Sequence, residues 1–117
     1  MSSTHLRLVH ICSAQDWSQA SSEQLYRPAS LEESGFIHLS APEQVHLPAN
    51  RIYAGRTDLV LLYVDPAAVD APIRWEPGVP DDPDGMLFPH LYGPLPVAAV
   101  TEVIAFRPGP DGRFAPL

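Results

Sequence analysis

The chain contains no lysine, one cysteine and no long apolar run. Without lysine, its positive charge rests on seven arginines against 14 acidic residues, for a formal net charge of -7 with histidine neutral. Such a surface repels polyphosphate, so neither duplex nucleic acid nor an anionic membrane is an expected partner, although a small local cluster of arginines can still hold one phosphate. The lone Cys12 rules out an internal disulfide and fits a reducing cytoplasm. No stretch approaches the roughly 18 apolar residues of a membrane span, and no signal-peptide pattern is visible, so a cytoplasmic location is expected. There is no Gly-x-Gly-x-x-Gly and no P-loop, which removes the Rossmann and ATPase modes of nucleotide binding. His-Glu-x-x-His and Cys-x-x-Cys are missing too.

What is present is an ordinary globular composition, 45% hydrophobic and 18% charged over 117 residues, enough for one domain spanning 1–117 and too little for two. Residues 6–12 alternate as a first strand, with Leu6, Leu8, His10 and Cys12 on one face and Arg7, Val9 and Ile11 on the other. Ser13 is placed to cap a helix over 14–21 that Trp17 would anchor. Ser30 is a second candidate cap, for a short helix 31–34 ended by Gly35. A helix from Pro42 to about Tyr53 is interrupted by Pro48, which predicts a kink or two short helices divided there. The run 58–65 is nearly all apolar and reads as a central strand buried on both faces. Residues 73–76 and 98–106 read as further strands, 77–85 as an acidic loop and 107–117 as a loose tail. This mixed order predicts a small α+β domain.

Two stretches carry the polar groups of a site. In Gly35-Phe36-Ile37-His38-Leu39-Ser40, strand alternation puts His38 and Ser40 on one face and Ile37 and Leu39 on the other. Phe88-Pro89-His90-Leu91-Tyr92-Gly93-Pro94-Leu95 repeats the device with His90 and Tyr92. Two such segments point to one shared pocket.

Together with His10, Trp17, Gln44, the 59–65 strand and Glu76, these motifs resemble the DUF952 family over nearly the whole chain. The layout is also similar, more distantly, to RNA 2'-phosphotransferases and other ADP-ribosyltransferases: a strand ending in histidine, a helix, a Gly-x-x-His-Leu-Ser strand, a helix, and an apolar strand ending in Asp. That resemblance implies a split mixed or antiparallel sheet, and NAD or an ADP-ribose-like nucleotide as cofactor or substrate. It matches His10 to a ribose-holding histidine, and His38 with Ser40 to the second side of the clamp. The chain departs from the pattern at the late segment, where His90 and Tyr92 stand in place of a carboxylate. Glu76 is the nearest acid on a strand, and the arginines that phosphotransferases use have no clear counterparts.

Breaking the bond between ribose and nicotinamide develops positive charge on the sugar, which a carboxylate such as Glu76 stabilises. Histidines titrating near neutrality serve as acid or base, so His10, His38, Glu76 and His90 are the candidate catalytic groups. Trp17 and Tyr92 offer flat faces for a base, completing with His10, His38 and Ser40 the candidate binding set. Each residue has a plainer reading: a histidine satisfying backbone hydrogen bonds, Ser40 as a helix cap, Glu76 paired with Arg74, Trp17 in the core. Two other functions stay open, an inert nucleotide-binding module and a metal-dependent hydrolase using the histidines with Glu76. No metal is expected on the first reading.

Overall fold

The computed structural model describes residues 7–78 and 85–117. Most of the expected acidic loop therefore lies outside the described residues, as does Leu6 of the first strand. Among the described residues eight strands and three α-helices follow one another as β1 (Leu8–Ser13), α1 (Ala14–Ala20), β2 (Leu25–Tyr26), α2 (Ala29–Ser34), β3 (Ile37–His38), α3 (His46–Ile52), β4 (Leu59–Val64), β5 (Ile73–Pro77), β6 (Leu87–Leu91), β7 (Leu95–Pro96) and β8 (Val100–Phe106). They form an α+β domain with several antiparallel sheets, ordered β1-β4-β8, β3-β6-β5 and β2-β7. No helix among the described residues is long and apolar enough to cross a membrane.

The apolar run predicted as central is central: β4 lies between β1 and β8, with Leu59, Leu61, Leu62 and Val64 almost wholly buried. Each such side chain contributes about 1.5–3 kcal/mol of burial. Two cores flank β1 and β4, as period-two alternation requires. Leu8, Cys12, Leu62 and Val64 face one that includes Ile37, Leu91 and Leu95. Val9, Ile11, Leu59 and Leu61 face the other, beneath Val45 and Ala49.

Local chemistry sets the helix ends. The Ser13 hydroxyl accepts the Asp16 N–H at 3.0 Å, starting α1 where expected. Gly35, at φ 84°, ends α2 in the left-handed region and returns its N–H to the Leu31 carbonyl. Ser30 does not cap α2, because the helix begins two residues earlier than expected, behind Pro28. The break expected at Pro48 falls instead at Val45, between a 3-10 turn (Pro42–Gln44) and α3. Pro48 sits in the first turn of α3, where a missing N–H costs no helical bond. Ser40 is not the cap of that turn; the Gln44 side chain accepts the Ala41 N–H instead.

The segment 107–117, expected to be loose, is fastened. Phe114 is 3% exposed and stacks on Phe106 with ring centroids 4.6 Å apart. Its backbone N–H and carbonyl both bond the Asn50 side chain, at 2.7 and 2.9 Å.

Candidate functional site

The two three-stranded sheets meet at one point. Val9 and Ser40 exchange backbone bonds of 2.8 and 2.9 Å, and no further pairing joins β1 to β3 among the described residues. Past that bridge the two edges separate, and a cleft of about 400 Å³ opens between them, lined also by Pro48, Arg51 and Ile52 of α3 and by Phe88. Its size is that of a small-molecule site.

The open edge has a definite polarity. Residues in an antiparallel pair alternate between those bonded to the partner strand and those facing outward. Val9 faces outward, toward Ser40, so Ile11 two residues on faces the same way. Its N–H and C=O therefore border the cleft with no backbone partner among the described residues.

His10, next to it, is committed to holding the walls. Its Nδ1 donates to the His38 carbonyl at 2.7 Å, which leaves Nε2 to accept from the Tyr26 hydroxyl at 3.3 Å. Burial pulls its pKa down to about 4, so the ring is neutral at physiological pH. Both nitrogens being occupied, the ribose contact and acid–base role expected of His10 give way to a latch joining β1, β2 and β3. Burial likewise raises the Cys12 thiol to about 11 and the Tyr26 phenol beyond its ordinary range.

His90, unlike His10, is bound through one ring nitrogen only among the described residues. Register sets it opposite His38 on one side and Arg74 on the other. Its Nδ1 donates to Glu76 Oε1 at 2.9 Å, and the same oxygen accepts the Tyr92 hydroxyl at 2.5 Å. These two bonds, Tyr92 first, hold the Glu76 carboxyl below its usual range, and the same contact raises the Tyr92 phenol. Phe36 stacks on the His90 ring at 4.0 Å and 15°. With Nδ1 and the ring plane fixed, Nε2 keeps no protein partner among the described residues, and His90 lines the cleft.

His38 stands at the rim, its ring 5.6 Å from that of His90. Desolvation first, then the nearness of His90 and of Arg51, lowers its pKa. Tyr53 and Arg51 line the helical wall.

Of the residues singled out in the sequence, His10, His38, Ser40 and His90 thus share one cleft. Glu76 and Tyr92 bond to each other behind His90 and are not part of the cleft's lining, so neither the carboxylate nor the Tyr92 ring faces it. Trp17 is elsewhere, packed against the core beneath α1. Its breadth and helical spacing favour that burial over a ligand contact. Among the described residues no three histidine, cysteine or carboxylate side chains gather as a metal-ligand set. Sequence reasoning passed over Ile11, Tyr53 and Arg51. The edge position of Ile11 depends on long-range pairing, and the phase of α3 was hidden by Pro48.

A search of the curated proteins finds no match. Among solved structures, the crystal structure of protein CC0527 from Caulobacter crescentus is 32% identical, with a TM-score of 0.79 and 93% of each chain covered. The solution NMR structure of CC0527 gives a TM-score of 0.76 at the same identity, covering 92% of this chain and 90% of that one. A family described as "Protein of unknown function (DUF952)" matches residues 11–103, a span that includes the open Ile11 edge, both histidine motifs and Glu76. The chain belongs to the DUF952 family.

Proposed function

We propose that the cleft binds the nicotinamide–ribose end of NAD or of an ADP-ribose-like nucleotide, and that His90 serves as acid–base group in ribosyl transfer to a small-molecule or protein acceptor. The observation that carries this reading is the open edge of Ile11. A primary carboxamide presents a donor and an acceptor in one plane, and pairs with the N–H and C=O of a single edge residue as a neighbouring strand would. Tyr53 on the facing wall supplies an aromatic surface for the attached ring. Bound there, the nucleotide supplies a ribose carbon whose bond to the ring nitrogen breaks, the electron pair leaving with the nicotinamide as the acceptor's lone pair forms the new bond. His90 Nε2 takes the acceptor's proton, while Glu76 on Nδ1 fixes the tautomer and steadies the charge gained.

One observation favours a second reading, an inert binding module. Glu76 lies behind His90, so it does not face the charge that develops on the sugar.

Calorimetry with NAD and with ADP-ribose, beside an assay for released nicotinamide, separates the two. NAD is expected to bind more tightly than ADP-ribose, which lacks the carboxamide. His90→Ala should abolish release while leaving NAD affinity within a few-fold, and Glu76→Gln should slow release with a shifted pH profile. No heat with either nucleotide sinks the binding reading; binding without release under any acceptor leaves the inert module.

A further inference from the structure

Arg51 has no role in the chemistry above, yet among the described residues it is a cation of the cleft that no carboxylate neutralises. It lies in the last turn of α3, exposed and lining the opening. Among the described residues no carboxylate comes within ion-pair distance of it, the recorded pairs being Arg7–Glu102, Arg56–Asp58 and His90–Glu76. Arg56, the other arginine at the cleft, differs. Its Nε and Nη2 grip both oxygens of Asp58 at 2.9 and 2.6 Å, and its guanidinium lies 5.5 Å from the Tyr53 ring centre. That fork is occupied.

The charges are also sorted. Asp16, the one acid among the described residues that line the cleft, is near enough to act on Arg56 and Tyr53, whereas Arg51 acts on His38. Among the described residues the charge of Arg56 is thus balanced by Asp58 and that of Arg51 is left open, in a chain of net charge -7. Elsewhere such a surface repels anions, so an unpaired arginine turned toward a cavity creates a local attraction against the general field. Its planar fork suits the paired oxygens of a phosphate better than a point charge would.

We infer that Arg51 anchors a phosphate or pyrophosphate group, so that the cleft selects nucleotides over nucleosides. This rests on the nicotinamide–ribose reading and specifies the anionic part of its ligand. Direct calorimetry with nicotinamide riboside, nicotinamide mononucleotide and NAD tests it, on the wild type, R51Q and R51K. Arg51 is exposed, so neither substitution threatens folding. The mononucleotide should bind the wild type about tenfold or more tighter than the riboside, the range of a charge-assisted bond at a rim. That ratio should shrink as salt rises. R51Q should erase it with riboside affinity unchanged, and R51K should keep part of it. Equal affinities in the wild type, a ratio that survives R51Q, or a loss in R51Q shared equally by riboside and mononucleotide overturns the phosphate anchor while riboside binding keeps the cleft assignment standing. No binding of any of the three overturns both.

Discussion

Acid should loosen this fold through His10. The ring is buried between Tyr26 and the His38 carbonyl, and its pKa is pulled from 6.5 to about 4, chiefly by desolvation. The unfolded chain takes up a proton as pH falls through 6.5, whereas the folded chain refuses it until about pH 4, so this stabilisation is complete above the first value and lost towards the second. At about 1.36 kcal/mol per pH unit the gap makes about 3 kcal/mol of folding free energy pH-dependent, of which about 2 kcal/mol disappears between pH 7 and pH 5. For a domain of this size that lowers Tm by about 8 °C. Glu76 and Asp58 act in another window: both carboxyls are held below their ordinary values of 4.5 and 3.8, so what they contribute is lost only at lower pH. His38 shifts in the same direction as His10, which makes a paired comparison necessary. His10→Gln keeps a neutral donor for the His38 carbonyl and removes the titration. Thermal melts at pH 7 and pH 5 should show the wild type losing about 2 kcal/mol more than the variant. Equal losses in the two proteins, or an NMR titration of His10 with a midpoint near 6.5, would refute the reasoning.

Phe114→Ala should destabilise the protein by about 3 kcal/mol in urea unfolding, because it empties a buried aromatic site against Phe106; a loose tail would show no change. Cys12, buried and with its thiol raised to about 11, should resist alkylation at pH 8 in the native protein and react on unfolding. Rapid native labelling would place it on an accessible surface instead.

How far the sequence could be read depended on whether a signal was local. The 58–65 run announced a strand buried on both faces, and β4 is that strand. Ser13 and Gly35 marked helix ends through chemistry confined to three or four residues. The likeness of the two histidine motifs points to one shared pocket, and the β3–β6 register, which that likeness does not reveal, sets His38 against His90. What escaped was tertiary. Nothing near His10 reveals that the carbonyl of a residue 28 positions away occupies its ring. Nothing near Glu76 reveals that β5 turns its carboxylate to the back of His90, away from the cleft. Glycine and proline around Phe114 argue for a loop, and the segment is one; its order comes from Phe106 and Asn50, which local composition does not register.

The fastened tail has a reach beyond its own stability. Asn50, which grips Phe114 through two bonds, immediately precedes Arg51, and the Gly55 N–H closes on the Gly112 carbonyl two residues past Tyr53. The end of the chain therefore buttresses both sides of the helical turn that forms one wall of the cleft. Shortening the protein after Phe106 would leave His10, His38 and His90 in place and still unseat that wall, so a ligand would meet it as a loss of grip without any loss of chemistry. A fusion joined beyond Leu117 spares these braces, and is where an affinity handle belongs.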